Sequence, residues 1–247
     1  MTLKAVLFDL WGTLIIDPAH RSGPRQAWRA ANVLSALRQN GRNSDLPAVD
    51  AALKALSASL IEMHDAGRDV SSPRRVDLFL GYLDHGSSPG FSNAALGAIE
   101  AAIIDMRDDV APRLDEDAIE TLAAIKSAGL KTGLISNAGI TAAPVLRRML
   151  AGYGLSSHLD VLVFSDELEL AKPDRRIFEH ALAGLGIEAC EAAFVGDSPH
   201  NDIFGAQAAG LLAVQIGDRD HEVIRPDARI ERLGDLLPAL RRLSSPA

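Results

Sequence analysis

The sequence predicts an α/β protein built on a doubly wound parallel sheet, with a helical domain inserted into it. Short apolar runs recur along the chain, and helical patterns lie between the later runs. Runs that are apolar throughout are typical of strands that helices bury on both faces. The segment between Pro18 and Pro112 contains helical patterns and no convincing strand, which predicts the insertion.

Five apolar runs are predicted to form the strands of this sheet. They are Leu3–Leu10, Lys131–Ser136, Val161–Phe164, Ala192–Gly196 and Leu212–Ile216. Five helices are predicted to flank the sheet, at Glu116–Ala128, Ala143–Ala151, Asp174–Leu185, Ile203–Ala209 and Leu233–Leu243. The repeated strand, helix, strand order is that of βαβ units in a parallel sheet.

Residues 18–108 are predicted to form a separate helical domain, called the helical insert below. Its helices are expected at Pro24–Gln39, Leu46–His64, Arg75–His85 and Asn93–Met106. Prolines between these segments mark the connections. The remaining residues, 1–17 and 109–247, are then predicted to form the α/β core domain.

The composition excludes several classes of protein. The chain has 247 residues, of which 47% are hydrophobic and 23% charged, as in ordinary soluble domains. A net charge of -8 argues against general affinity for nucleic acid or for an anionic membrane surface. The single cysteine, Cys190, rules out an intramolecular disulfide, and no apolar stretch is long enough to span a membrane. Because no leader pattern precedes the first strand, we expect a cytoplasmic protein.

Polar side chains follow the first predicted strand. Asp9 stands at its end, and Gly12 and Thr13 follow. A carboxylate at the tip of a buried strand, followed by a glycine turn and a hydroxyl, is where an α/β protein places a nucleophile. The alternative is an aspartate that only caps the following turn.

Two later segments carry groups that could hold a phosphoryl oxygen. Ser136 and Asn137 end the second predicted strand, where a hydroxyl and backbone N–H groups can bind such an oxygen. Lys172 precedes Pro173 at a loop end, where its charge can neutralise both a nucleophile and substrate oxygens. Each of these residues is also common in these positions without any such role.

The most specific segment predicts a metal site. Asp197 and Asp202 lie five residues apart across a strand-to-loop turn, so they can converge with Asp9 on one hard cation. Magnesium takes oxygen ligands in octahedral geometry and keeps several waters. The predicted Mg²⁺ ligands are therefore Asp9, Asp197 and Asp202.

These segments, in this order and at this spacing, resemble the four signature motifs of the haloacid dehalogenase-like (HAD) hydrolase superfamily. The motifs read Asp9-Leu10-Trp11-Gly12-Thr13, Leu134-Ile135-Ser136-Asn137, Lys172-Pro173-Asp174 and Gly196-Asp197-Ser198 with Asp202. The resemblance implies a Rossmann-like core and catalysis by Asp9, Thr13, Ser136 and Lys172. The expected reaction is Mg²⁺-dependent hydrolysis of a small phosphorylated metabolite through an aspartyl-phosphate on Asp9.

The resemblance also implies that the helical insert is a cap domain over the site. The regions around Asp17 and Asp108–Pro112 would then be its two hinge strands. A mobile lid and a rigid subdomain that only adds core are both compatible with the sequence. Several insert residues are candidate substrate contacts, although solvated helix-surface positions are the safer assumption. They are Arg21, Arg25, Trp28, Arg29, His64 and Arg68.

Trp11 departs from the phosphatase pattern. Phosphatases of the superfamily have an aspartate at this place, which protonates the leaving alcohol and then deprotonates water. An indole can do neither. Trp11 either packs against neighbouring elements or forms part of the substrate pocket with Gly12, Ser136 and Asn137. Carboxylates that could replace the missing one are those of Asp17, Asp166 and Glu167.

Three functions are weighed against one another. The first, which we favour, is the phosphatase. The second is a carbon–halogen hydrolase, in which a halide leaves unprotonated and Trp11 is tolerated. Two features argue against it: Asp197 stands where dehalogenases have an uncharged residue, and no segment of the insert resembles the arginine-bearing one of the dehalogenases. The third is a catalytically impaired relative that binds a phosphorylated ligand or a protein. No nucleic-acid or membrane partner is expected, and the protein is expected to be a monomer or homodimer.

Overall fold

The computed structural model describes residues 2–84 and 90–244 and contains a six-stranded sheet. Its strands are β1 (Ala5–Phe8), β4 (Lys131–Ser136), β5 (Val161–Phe164), β6 (Ala192–Gly196), β7 (Leu212–Ile216) and β8 (Ala228–Ile230). The order across the sheet is β5-β4-β1-β6-β7-β8, and every neighbouring pair is parallel. The predicted doubly wound α/β fold is thereby confirmed.

Burial on both faces of the sheet follows from the apolar runs. In β1, Val6 and Phe8 belong to the hydrophobic core on one face, while Ala5 and Leu7 belong to the core on the other. The flanking helices are α5 (Ala118–Ser127), α6 (Ala143–Gly152), α7 (Ser165–Leu168), α8 (Arg175–Leu185), α9 (Gly205–Ala208) and α10 (Leu236–Ser244). Pro199–Phe204 forms a π-helix, so α9 begins at Gly205 and not at Ile203, where the sequence predicts the start of a helix.

Four helices lie between the first strand and the rest of the sheet. They are α1 (Ala19–Gln39), α2 (Leu46–Asp65), α3 (Ser72–Leu83) and α4 (Asn93–Ile104). They share a hydrophobic core of their own that includes Val33, Leu53, Phe79 and Ile99. No strand occurs among the described residues of 18–112, as the sequence predicts. The predicted end of the third helix, at His85, lies outside the described residues.

The helical insert joins the core beside a short antiparallel pair. Strands β2 (Ile15–Ile16) and β3 (Arg113–Leu114) pair with each other. The strand expected at Asp108–Pro112 is absent, and Asp108–Val110 forms a 3₁₀ turn instead. Since Pro112 has no N–H to donate to a ladder, pairing begins at the next residue. Across the described part of the chain, the helices are too short or too polar to cross a membrane.

Candidate active site

Three carboxylates meet at the carboxyl edge of the sheet. Asp9 directly follows β1, Asp197 directly follows β6, and Asp202 lies in the turn beyond it. The two strands are neighbours, and the Asp9 N–H donates to the carbonyl of Val195 at 2.8 Å. One carboxylate oxygen of each aspartate lies within 4.8 Å of the others. The structure therefore brings together the three residues that the sequence predicts as metal ligands.

Lys172 lies buried between two of these carboxylates. Its Nζ donates to Oδ1 of Asp9 at 2.5 Å and to Oδ1 of Asp202 at 2.7 Å. Burial alone would lower the pKa of Lys172, but the charges of Asp202 and Asp9 outweigh it and raise that pKa. The ammonium group is thus held in its charged form at the position where the sequence predicts a cation.

Asn137 fixes the backbone of Lys172. The Asn137 Oδ1 accepts from the N–H of Lys172 at 2.8 Å, and its Nδ2 donates to the carbonyl of Lys172 at 2.9 Å. Thr13 is buried, with its Oγ1 3.4 Å from Oδ2 of Asp9. Ser136 is buried too, and its Oγ lies 3.5 Å from the carbonyl oxygen of Asn137. The side chain of Asn137 is therefore arranged to position Lys172 as well as to border the site.

Two glycines allow the carboxylates to approach the backbone. Gly12 has φ +80, and a Cβ there would lie 2.6 Å from Oδ2 of Asp197. A Cβ on Gly196 would collide with the carboxyl group of Asp202. The same Asp202 carboxylate accepts from the N–H of Ser198 at 2.9 Å. Gly196 was not predicted as a site residue, because its contact with Asp202 depends on how the following turn folds.

The electrostatics of the cluster favour a bound cation. Burial raises the pKa of Asp9 to about 7 against the opposing charge of Lys172, and Asp202 and Asp197 raise it further. Burial and the charge of Asp202 also raise the pKa of Asp197. Arg219, an exposed side chain, lies 3.0 Å from Oδ2 of Asp197. Mg²⁺ prefers oxygen ligands, so three closely spaced carboxylates are a suitable ligand set for it.

Two cavities adjoin at this edge, and Trp11 and Asn137 line both. The first, the carboxylate cavity, has a volume of about 520 Å³ and is lined by the three aspartates and Lys172. The second, the insert cavity, has a volume of about 570 Å³ and lies between the helical insert and the loop 139–141. Trp11 also packs against the hydrophobic core of the sheet. The ring of Trp11 therefore packs on the core and also lines the two cavities; that it contacts a substrate stays a prediction.

Some of the insert residues considered from sequence are not on the surface. Arg25, Arg29 and His64 are buried and line the insert cavity, so the assumption of solvated positions is wrong for them. Arg68 is exposed. Arg21 donates to the backbone carbonyl of Ala111 at 2.6 Å, and Trp28 is half-buried.

Of the carboxylates that could replace the missing one, Asp17 lines the carboxylate cavity. Asp17 is ion-paired with Arg25. Asp166 instead accepts from the N–H of Ala143 at 3.0 Å. Glu167 forms an exposed ion pair with Arg147 at 2.7 Å. Asp17 is therefore the candidate that stands at the site.

Two curated relatives differ in how much of this chain they match. The phosphoserine phosphatase of Thermus thermophilus is 39% identical over 116 residues, 47% of this chain and 45% of that protein. The chain thus spans about half the length of this relative. The glyceraldehyde 3-phosphate phosphatase of Methanopyrus kandleri is 27% identical over 98% of this chain and 99% of its own.

Solved structures show the same fold. A 2-haloacid dehalogenase from Pseudomonas syringae pv. Tomato superimposes with a TM-score of 0.69 at 21% identity, covering 98% of this chain and 100% of its own. A HAD phosphatase from Thermococcus onnurineus gives a TM-score of 0.63 at 23% identity, covering 96% and 98%. The sequence profile of the haloacid dehalogenase-like hydrolases matches residues 3–210. The chain therefore belongs to the haloacid dehalogenase-like hydrolase family.

Proposed function

We propose that the protein is a Mg²⁺-dependent phosphatase that acts on a small phosphorylated metabolite, with Asp9 as the nucleophile. The observation that carries this proposal is the cluster of Asp9, Asp197 and Asp202, whose oxygens lie within 4.8 Å of one another. The buried contact between Lys172 and Asp9 supports it. Relatives named as phosphatases support the same reaction class.

The proposed reaction has two displacements at phosphorus. A carboxylate oxygen of Asp9 attacks phosphorus, the P–O bond to the leaving group breaks, and an aspartyl-phosphate forms. Lys172, already held beside Asp9, neutralises negative charge on the phosphoryl oxygens. Water then attacks phosphorus, which releases phosphate and restores the Asp9 carboxylate.

The metal-binding residues would be Asp9, Asp197 and Asp202. Magnesium bound there supplies positive charge against the carboxylates and the phosphoryl group. Gly12 and Gly196 contribute by leaving room for Asp197 and Asp202, respectively. We also propose that residues 18–108 act as the cap domain of this site, since the insert cavity adjoins the carboxylate cavity.

Trp11 determines which class of phosphate ester should be hydrolysed faster. Its indole lines the site, but the indole N–H does not titrate and the ring has no basic lone pair. The leaving alkoxide must then take its proton from water. Activated esters, whose leaving groups need no protonation, should therefore be hydrolysed better than simple alkyl phosphates.

The test is phosphate release from a panel of alkyl and aryl phosphate esters. We expect Mg²⁺-dependent release that EDTA abolishes and that Asp9→Asn lowers by several orders of magnitude. The matched control is Asp77→Asn, which changes an exposed carboxylate on α3 and should keep the wild-type rate. Phosphate release that persists in Asp9→Asn would contradict the proposal.

A carbon–halogen hydrolase is the second candidate, because a halide leaves without a proton and Trp11 supplies none. In that reaction Asp9 attacks carbon, and the carbon–halogen bond breaks as the ester forms. Its test is halide release from 2-haloacids in the presence of EDTA. Halide release without phosphate release would favour this candidate over the phosphatase.

A further inference from the structure

The insert cavity is lined by basic side chains. Arg25, Arg29 and His64 contribute to its wall, and no aspartate or glutamate among the described residues lines it. This contrasts with the chain as a whole, which carries a net charge of -8. A cation-lined cavity beside a candidate catalytic centre favours an anionic group.

Two of these three side chains already have a carboxylate partner. Arg25 forms an ion pair with Asp17. His64 Nε2 lies 3.0 Å from Oδ2 of Asp69. Neither side chain therefore needs a ligand to balance its charge.

Arg29 has no such partner. Its Nη2 donates to neutral oxygens, the Oγ1 of Thr141 at 2.8 Å and the carbonyl of Asp105 at 3.2 Å. The Nε of Arg29 is buried and has no hydrogen-bond partner in the described structure, although the side chain lines the cavity. The carboxylate of Asp105 is engaged elsewhere, with Arg148 at 2.7 Å. Arg29 is thus a buried guanidinium that no carboxylate contacts directly among the described residues, and the charge of Asp105 offsets its own only from a distance.

A buried charge without a counterion is costly, and an anionic ligand would remove much of that cost. Arg29 is 5% exposed. Burial, with the nearby charge of Arg25, lowers the pKa of Arg29 to about 10, so the group is still charged at neutral pH. The planar fork of a guanidinium matches a carboxylate or a phosphate.

We propose that Arg29 binds a carboxylate of the substrate, so that the substrate is a phosphorylated carboxylic acid. This inference rests on the proposed phosphatase function. The two cavities meet at Trp11 and Asn137, so one small molecule can occupy both. Arg29 supplies one positive charge that no carboxylate contacts directly, which one carboxylate would balance, whereas a phosphate monoester would bring about two negative charges.

The experiment measures binding of non-hydrolysable phosphonates by calorimetry in buffer with Mg²⁺. The probes are phosphonopropanoate and its neutral amide, phosphonopropanamide, which differ only in the carboxylate. We expect wild-type protein to bind the acid at least about tenfold more tightly, as for a charge-assisted hydrogen bond. Arg29→Met should bring this ratio close to one. The control Arg38→Met, an exposed arginine on the same helix, should keep it.

A second variant, Arg29→Lys, and a bisphosphonate probe complete the experiment. If Arg29→Met does not fold by circular dichroism, Arg29→Lys, which keeps the charge but not the fork, should show a reduced ratio. Equal affinity of the wild type for acid and amide, or a ratio unchanged in both Arg29 variants, would overturn the inference. Tighter, Arg29-dependent binding of propane bisphosphonate than of phosphonopropanoate would overturn the choice of carboxylate.

The outcomes separate this inference from the proposed function. Asp9-dependent phosphate release with no preference for the carboxylate would overturn the role of Arg29 and leave the phosphatase standing. Absence of Asp9-dependent phosphate release would overturn the phosphatase itself.

Discussion

At the scale of single residues, Trp11 has the largest consequence for chemistry, because it lines the site without a group that can transfer a proton. The neighbouring carboxylates are engaged otherwise: Asp197 and Asp202 belong to the acidic cluster proposed to hold Mg²⁺, and Asp17 is paired with Arg25. The proposed nucleophile is intact, but proton transfer to the leaving group has no evident donor.

We predict that Trp11→Asp raises the rate on alkyl phosphates by about a hundred- to ten-thousand-fold, the usual contribution of general acid–base catalysis. The gain on activated aryl esters should be much smaller, since these leaving groups need no proton. Comparison of kcat/KM across the two classes checks this. An equal gain in kcat/KM on both classes of ester, or no gain on either, would show that the missing proton transfer does not limit the rate of the wild-type protein.

A second prediction at this scale concerns Gly196. A Cβ there would occupy the space of the Asp202 carboxyl group, so Gly196→Ala should displace Asp202 and lower both activity and Mg²⁺ affinity. Overpacking of this kind typically costs about 1–3 kcal/mol of stability. The control Gly97→Ala, on α4 where a Cβ meets open space, should be neutral or stabilising. Urea denaturation and a Mg²⁺ titration of activity measure both effects; unaltered Mg²⁺ affinity in Gly196→Ala would contradict the close-approach argument.

The sequence predicted the carboxylates and Lys172 because polar residues at the ends of parallel strands gather at one edge. It offered Arg29 only as one of six candidate substrate contacts and favoured a solvated position for it, since an arginine on a helix is usually solvated. A signal was present: Arg25, Arg29, Val33 and Leu37 are spaced by four, which places them along one face of α1. The positive charge of Arg29 suggested a solvated side chain, whereas its spacing from Val33 and Leu37 indicated a buried one.

At the scale of elements, a buried ion pair ties the helical insert to the core. Arg75 of α3 donates to Asp69 at 2.9 and 3.0 Å, and to the backbone carbonyls of Ala138 and Gly139 at 2.9 and 2.5 Å. Asp69 also accepts from the Oγ of Ser165 at 2.5 Å. Because these partners belong to the loop after β4 and to α7, the pair fixes the insert against the segment that carries Asn137.

Arg75→Met should therefore destabilise the protein by about 3–5 kcal/mol, because the buried Asp69 carboxylate would lose its guanidinium partner. The matched control is Arg74→Met, which removes an exposed arginine paired only with Asp77 and should shift stability by less than about 0.5 kcal/mol. Urea denaturation of the two variants measures the difference. Similar stabilities would mean that the buried pair contributes little to holding the insert.

The bounds of four of the five predicted strands agreed with the sequence, and other bounds differed where short-range geometry decided. Lys131–Ser136 and Val161–Phe164 match the predicted strands to the residue. Ala228–Ile230 was not predicted, since three residues with an exposed Arg229 carry too little apolar pattern. Helix α1 begins at Ala19 rather than at Pro24. In its first two turns, Arg21 and Arg25 donate to backbone carbonyls of residues 110–111.

At the scale of the whole molecule, the contacts favour a helical insert that is fixed on the core rather than a freely opening lid. Arg29 and Arg75, from two different helices, both contact the loop 138–141. Ile140 of that loop belongs to the hydrophobic core of the insert. Opening the cavity between them would break these buried hydrogen bonds and expose Ile140 to water, which is unfavourable.

The same loop connects the insert cavity to the catalytic candidates, because Asn137 precedes it and holds Lys172. A substrate bound by Arg29 would thus contact a wall that is continuous with the phosphoryl site. The sequence could predict that an insert stands at this point of the chain. It could not predict which insert residues face the core, because that depends on how four helices pack.

Location of the covalent phosphoryl group tests the central claim most directly. The enzyme is mixed with an activated phosphate ester, stopped in acid within one turnover and digested, and its peptides are examined by mass spectrometry. The mechanism predicts a phosphoryl group on the peptide that carries Asp9, and none in Asp9→Asn. A phosphoryl group on any other residue, or phosphate release by Asp9→Asn at the wild-type rate, would contradict it.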